Sequence, residues 1–103
     1  MQQLINNATK NADRSAIISN DTSYTYSLLL EHSKAIAHYL LNGKTDLEEA
    51  RVAFLISPSF EYTAVLWGIW RAGGIAVPLC EKHPLPSITY VIEDTQAEIL
   101  IYE

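Results

Sequence analysis

Residues 51–79 read RVAFLISPSFEYTAVLWGIWRAGGIAVPL, and this stretch decides the fold. Residues 52–56 are a continuous apolar run of strand length, residues 60–72 are an apolar segment of helix length, and residues 75–77 begin a second short apolar run. Neither strand alternates between apolar and polar residues, which is typical of parallel strands with both faces covered. The pattern therefore predicts a right-handed βαβ unit.

The central helix of this unit has clear start and stop signals. Ser59 can cap its N-terminus, and Glu61 places a negative charge in the first turn, where the helix dipole favours it. Arg71 lies in the last turn, and Gly73 supplies a residue that can adopt a left-handed conformation after the end. Gly68 in the middle costs roughly 1 kcal/mol relative to alanine. We therefore expect another backbone to come close at Gly68.

The same helix is apolar almost all the way round, which predicts that it is buried all round. A chain of 103 residues buries only roughly 60–70% of its surface, so it has difficulty covering such a helix alone. We therefore expect the sheet on one side and a layer absent from this chain on the other. The expected partner is the rest of a longer polypeptide or another copy of the chain, bound through the Trp67/Trp70 helix.

The remaining chain flanks this unit with further helices and strands. Thr25 or Ser27 can cap the second helix, and Asn42-Gly43 ends it. Pro78 lacks a donor for a sheet hydrogen bond, so its strand should end near it or lie at an edge. The predicted elements are a short helix at 2–12, a hairpin with strands at 16–18 and 23–24 around Asn20-Asp21, a helix at 25–41, a charged loop at 44–50, a loop at 80–83, a helix beginning at Pro84 with Leu85, Ile88, Val91 and Ile92 on its apolar face, and a strand at 99–102.

Composition excludes several classes of protein. The chain is 49% hydrophobic and 18% charged with a net charge of −5, which is typical of a globular protein. Its basic residues are scattered singly, so we expect no nucleic-acid partner. A single cysteine allows no internal disulfide, and no apolar run approaches the roughly 20 residues that span a membrane. The N-terminal residues do not have the pattern of a signal peptide, so the expected location is the cytoplasm.

The residues that could carry chemistry do not assemble into a complete active site. Gly43-Lys44-Thr45 resembles the end of a phosphate-binding P-loop, but His38 occupies the position where that pattern needs its first glycine. Cys80 and His83 make at most half of a zinc site, and a packed thiol is the favoured interpretation of Cys80. His32 and His38 lie about 240° apart around a helix, so we expect both at the surface. We therefore assign no catalytic, cofactor-binding or metal-binding residue.

Two segments resemble core motifs of the adenylate-forming (AMP-binding) enzymes. Residues 70–79, WRAGGIAVPL, resemble the second core motif, roughly LKAGGxYVPLD. Residues 25–29, TYSLL, resemble the first, roughly TYxEL, and the spacing between the two is also similar to the family's. Leu28 replaces the usual acidic residue and Cys80 replaces the usual aspartate. Ile75-Ala76-Val77-Pro78-Leu79, Lys82-His83-Pro84 and Tyr90-Val91-Ile92 are similar to the malonyl-CoA synthetase branch.

This resemblance implies an α/β fold with βαβ units, a mostly parallel sheet and a small N-terminal hairpin. It also implies a parent ligase, an acyl-CoA synthetase of fatty acid metabolism. Such an enzyme uses ATP and magnesium to form an acyl-adenylate from a carboxylic acid, and then transfers the acyl group to coenzyme A. The family's residues for this work lie later than any residue matched here.

The resemblance further implies that residues 1–103 are a partial N-terminal subdomain, inactive alone and binding no cofactor. Two alternatives stay open at this point. One is a stand-alone α/β protein-interaction module, and the other is a small flavodoxin-like nucleotide binder, which would need a phosphate-binding loop at a strand end.

Overall fold

The computed structural model describes residues 1–19, 21–80 and 85–102. Within these ranges the chain forms four helices and five strands. In order they are α1 (Gln2–Lys10), β1 (Ser15–Ser19), β2 (Thr22–Thr25), α2 (Tyr26–Leu41), β3 (Arg51–Leu55), α3 (Phe60–Arg71), β4 (Ile75–Pro78), α4 (Leu85–Thr95) and β5 (Ile99–Tyr102). The predicted elements are confirmed with bounds that differ by one or two residues. The predicted loop at 80–83 beyond Cys80, the predicted helix start at Pro84 and Asn20 of the predicted turn lie outside the described residues.

The strands form two separate sheets. β1 and β2 pair antiparallel as the predicted hairpin, with Asp21 in a left-handed conformation (φ 63°) at the turn. The other sheet has the order β4-β3-β5, and β3 is parallel to both neighbours. The predicted α/β class, with a mostly parallel sheet and a small N-terminal hairpin, is therefore confirmed. β4 both ends at Pro78 and lies at an edge of the sheet, as the missing donor of Pro78 requires.

The two crossovers of the parallel sheet run in opposite directions. The connection through α3 leads from β3 to β4 on one side, and the connection through α4 leads from β4 back across β3 to β5. Because such crossovers are right-handed, α3 and α4 belong on opposite faces of the sheet. The sheet is thus doubly wound around the central strand β3.

The main core lies on the α3 face of the sheet. Alternate residues of β3, Val52 and Phe54, are fully buried there and pack with residues of both α2 and α3. A second cluster joins Leu29, Phe60 and Ala64 to the hairpin, where the ring of Tyr24 stacks on Phe60 with centroids 4.3 Å apart. The core therefore includes α2 and the hairpin as well as the βαβ unit.

Gly68 lies where α2 and α3 come closest. A Cβ atom on Gly68 would stand 2.6 Å from Cγ2 of Ile36 and 3.2 Å from the backbone oxygen of Ser33. This contact confirms the predicted close backbone approach. The Arg71 guanidinium adds a polar link, because its Nη1 donates to the Leu30 carbonyl and to Ser33 Oγ, each at 2.9 Å.

Within the described residues the central helix is not buried all round, and its cover by a layer outside this chain stays a prediction. Trp70 is 41% exposed and Glu61 is exposed, while Trp67 is half-buried against the second cluster. The sheet covers one side of α3 as predicted, and α2 supplies part of the cover that the sequence argument assigned to a layer outside the chain. Periodicity alone could not show this, because it does not reveal that α2 packs directly beside α3.

Candidate functional site

The first motif segment begins α2. Thr25 has extended backbone angles and its Oγ1 accepts a hydrogen bond from the Leu28 amide at 3.2 Å. Leu28 stands at the third helical position, where a glutamate would complete a capping box. Its side chain packs against the second hydrophobic cluster instead. The segment therefore starts a helix.

The second motif segment ends α3 and begins β4. Gly73 has φ 84°, and a Cβ atom there would collide with the Asp46 carboxylate. The loop before β3 is fixed to the same place, because the Leu47 amide donates to the Ala72 carbonyl (2.8 Å) and the Glu49 amide to the Gly73 carbonyl (2.9 Å). Because Gly73 and Gly74 have no side chains, this loop, the end of α3 and the start of β4 can meet here. Both motif segments have the structural roles that the sequence predicts.

A cleft of about 450 Å³ lies beyond the carboxyl end of β3, the place where open α/β sheets bind ligands. His32 borders it from α2, and residues 56–59 and Glu61 border it from the start of α3. Ser59 Oγ is occupied as the cap of α3, accepting from the Tyr62 amide at 3.3 Å. Glu61 adds a negative charge to this cleft, and that charge repels a phosphate group.

The described residues do not fit a magnesium–nucleotide site. Within residues 1–19, 21–80 and 85–102, no three His, Cys, Asp or Glu side chains converge as metal ligands. Gly43-Lys44-Thr45 follows the C-terminus of α2, whereas a phosphate loop precedes a helix N-terminus. We derive no catalytic step through ATP or magnesium from these residues.

The single residues that the sequence singled out lie apart. His32 and His38 are both exposed, as predicted. The favoured interpretation of Cys80 as a packed thiol is wrong, because this cysteine is exposed. The reason is that β4 ends at Pro78, so that Cys80 lies beyond the last residue held in the sheet. The predicted partner residue His83 lies outside the described part of the chain.

A second concave surface lies between α2 and β5, and the sequence did not predict it. We call it the α2–β5 groove; its volume is about 450 Å³ and its lining is predominantly apolar. Ile36 and Tyr39 border it from α2, and Ile99 and Ile101 border it from β5. Tyr39 is 85% exposed. A signal was present in the sequence, since Tyr39 is a large aromatic residue on the polar side of the second helix.

None of the described helices is both long enough and apolar enough to cross a membrane. The cytoplasmic location stays a prediction.

The fold and the two motif segments define an α/β protein of the adenylate-forming class. The match to the family of AMP-binding enzymes covers residues 4–103, and the chain therefore belongs to that family. The chain corresponds to the N-terminal region of these enzymes, and its solved structural neighbours include the N-terminal subdomain of Klebsiella oxytoca NpsA. That subdomain superposes with a TM-score of 0.85 at 26% identity, over 97% of this chain and 26% of the other.

Relatives of two kinds share this region. The mitochondrial malonate–CoA ligase of Mus musculus is 37% identical over 93 residues, which is 86% of this chain and 16% of the ligase. A linear gramicidin synthase of Brevibacillus parabrevis is 35% identical over 92 residues, which is 89% of this chain and 1% of that protein. The chain spans about one sixth of the length of the malonate–CoA ligases that it matches.

Proposed function

We propose that this chain is the N-terminal part of an AMP-forming acid–thiol ligase of the acyl-CoA synthetase type. The observation that carries the proposal is the family match over residues 4–103, together with the two motif segments in structural positions. The parent enzyme would condense a carboxylate with ATP, releasing pyrophosphate and forming an acyl-adenylate. A coenzyme A thiol would then displace AMP to give the thioester, as in fatty acid metabolism.

In this proposal the 103 residues are a scaffold and not the reaction centre. The described residues supply helix starts, a glycine turn and a sheet, and the cleft at the end of β3 carries Glu61. ATP, magnesium and coenzyme A would be held by other parts of the parent. The rest of the parent chain would be the partner of this piece, with the Trp67/Trp70 helix as one of the surfaces in contact.

Malonate is the first acid to test. The support is the 37% identity to the malonate–CoA ligase of Mus musculus and the local similarity of residues 75–79 to that branch. A dicarboxylate would leave one free carboxylate in the thioester product, so its pocket would need a cation. No residue for this role is assigned in the present chain.

A second candidate is an adenylation domain that loads a carrier-protein thiol instead of coenzyme A. Its support is the 35% identity to the linear gramicidin synthase and the similarity to NpsA, one of whose solved forms is an adenylation–carrier fusion of a nonribosomal peptide synthetase. The thiol that accepts the acyl group distinguishes the two candidates. A ligase forms a soluble thioester with coenzyme A, whereas a peptide-synthetase domain acylates a carrier protein.

The test combines the reading frame with an exchange assay. We expect the frame to continue past residue 103, and its full product to exchange pyrophosphate into ATP when malonate is present. We expect the 103-residue chain alone to show no exchange above the protein-free background. Exchange by the 103-residue chain would overturn the assignment as an inactive scaffold. A frame that closes at residue 103 would overturn the ligase parent and favour the interaction-module alternative.

A further inference from the structure

The end of α2 carries the only Asn-Gly pair in the sequence. Asn42 and Gly43 follow the last helical residue, and every other asparagine precedes a residue that has a side chain. In an Asn-Gly pair the glycine nitrogen can attack the carbonyl carbon of the asparagine side chain, because no Cβ atom on the glycine hinders the approach. The pair therefore combines a nucleophile and an electrophile in adjacent residues.

Both reacting groups of this pair are accessible. Asn42 and Gly43 are exposed, and a Cβ atom on Gly43 would meet nothing within 4 Å. In the part of the chain that the structure describes, no hydrogen bond engages the Gly43 amide or the Asn42 side chain. Neither crowding nor hydrogen bonding by these residues therefore prevents the attack.

The backbone conformation of Asn42 keeps the reacting atoms apart. Asn42 is left-handed, with φ 47° and ψ 47°. Because the bonds at Cα are tetrahedral, this ψ places the Gly43 nitrogen nearly trans to the Asn42 Cβ atom. No staggered side-chain rotamer then brings Cγ within the roughly 3–3.5 Å that a near-attack geometry requires. The folded cap of α2 is therefore an unreactive conformation.

Two hydrogen bonds hold this cap in place. The Asn42 amide donates to the His38 carbonyl at 3.3 Å, and the Lys44 amide donates to the Leu41 carbonyl at 2.9 Å. Turning the Gly43 nitrogen toward Cβ requires rotation about the Cα–C bond of Asn42. That rotation carries Lys44 away from Leu41 and breaks the second bond. Helix ends open at low free energy, so the reactive conformation is reached by local opening.

We propose that Asn42-Gly43 is a site of spontaneous deamidation, and that opening of the α2 cap sets its rate. In the open state the Gly43 nitrogen bonds to Asn42 Cγ and loses its proton, while the Cγ–Nδ2 bond breaks and Nδ2 leaves as ammonia. Water then opens the cyclic imide at either carbonyl, which gives aspartate or isoaspartate at position 42. Water is the only co-reactant and no atom is oxidised or reduced. The inference does not depend on the proposed function.

Both products weaken the end of α2. Isoaspartate adds one methylene to the main chain between Leu41 and Gly43, so the turn closed by the Lys44 amide cannot re-form with the same geometry. Aspartate puts a negative charge at the C-terminus of the helix, where the helix dipole disfavours it. Leu40 in this last turn is buried in the main core, so the loosened turn borders the core directly.

Peptide mapping by mass spectrometry tests the proposal on the 103-residue chain. Deamidation is followed in the folded chain and in guanidinium chloride at the same pH, with circular dichroism confirming the helix content. In denaturant Asn42 should react fastest of all the asparagines. In the folded chain it should react at least about tenfold more slowly, which corresponds to about 1.4 kcal/mol of opening free energy. Equal rates in the two states, or a faster asparagine in denaturant, would overturn the proposal.

Two substitutions at Lys44 separate the cap from the reacting pair. Lys44→Pro removes the amide that donates to Leu41, and should speed deamidation in the folded chain roughly three- to tenfold, the factor that one lost hydrogen bond corresponds to. Lys44→Ala is the matched control, because it removes the same side chain and keeps the amide. It should leave the rate within about twofold, as expected for a surface change. Equal rates in the two variants would overturn control by the cap.

Amide hydrogen exchange tests the same opening without any substitution. The Lys44 amide becomes exchangeable when its bond to Leu41 breaks, which is the event that also lets Asn42 react. Its protection factor should therefore agree within about threefold with the ratio of the deamidation rates in denaturant and in the folded chain. A strongly protected Lys44 amide beside an Asn42 that deamidates as fast as in denaturant would overturn the proposal.

Discussion

At the scale of single residues, Gly68 shows how packing reverses a local preference. Alanine is favoured over glycine in a helix interior by roughly 1 kcal/mol. Here the added methyl group would stand 2.6 Å from Cγ2 and 2.8 Å from Cβ of Ile36. Both atoms belong to a β-branched side chain, which has little freedom to move aside in a helix. The contact therefore outweighs the propensity.

We expect Gly68→Ala to lower the free energy of unfolding by about 1–3 kcal/mol, the usual cost of overpacking a core. Urea denaturation followed by circular dichroism measures this change. The matched comparison is a double-mutant cycle with Ile36→Ala, which removes Cγ2, the nearer of the two Ile36 atoms that the new methyl group meets, and keeps Cβ. In the Ile36→Ala background the same glycine substitution should cost less stability than it does in the parent chain. A Gly68→Ala variant as stable as the parent would contradict the crossing geometry.

Other residues show where sequence reasoning stops. Gly68 could be predicted because a glycine inside a helix is itself unusual. The backbone conformation of Glu48 and Glu49 could not be predicted. Both residues are left-handed (φ 53° and 65°), which glutamate rarely adopts. The Asp46 carboxylate accepts from the Glu48 amide at 2.6 Å, and the Glu49 amide donates to the Gly73 carbonyl. The acceptor of the second bond, Gly73, is distant in sequence from Glu49, so no local pattern indicates this bond.

At the scale of the elements, capping residues explain why most boundaries were predictable. Ser59 lies directly before α3, and its Oγ accepts from the Tyr62 amide. Thr25 does the same for α2, and Asn42, in a left-handed conformation (φ 47°), ends that helix. These signals lie within the segment they delimit. By contrast, the place of β5 beside β3, and not beside β4, depends on sheet order, which no single segment encodes.

We expect Ser59→Ala to destabilise the chain by about 1 kcal/mol, because one amide at the start of α3 loses its acceptor. Ser59→Asp should restore part of the stability, since a carboxylate also accepts this hydrogen bond and is favoured by the helix dipole. It cannot replace the hydrogen bond that Ser59 Oγ donates to the Ser57 carbonyl at 2.9 Å. Thermal unfolding compares the two variants with Ser87→Ala, a change at an exposed position of α4. If alanine and aspartate at position 59 lower the midpoint equally, the cap does not stabilise α3.

At the scale of the whole molecule, the chain is a flat slab. It measures 42 × 35 × 19 Å with a radius of gyration of 14.3 Å, whereas a compact domain of this length has about 13 Å. The family and the α/β class could be predicted from two motifs and a strand–helix–strand pattern. The α2–β5 groove could not, because Tyr39 and Ile99 are 60 positions apart and only the folded sheet brings them together.

The sheet order β4-β3-β5 also determines the sequence of events during synthesis. The ribosome makes the middle strand first, its α3-linked neighbour next, and the strand on the other flank last. Between Pro78 and Ile99 it adds 20 residues, which takes about 1–4 s at the usual rate of translation. Once β3 and β4 have left the ribosome, β3 has one flank paired and the other bare for that time. A nascent chain is therefore most exposed to mispairing with neighbours on a polysome before β5 has emerged.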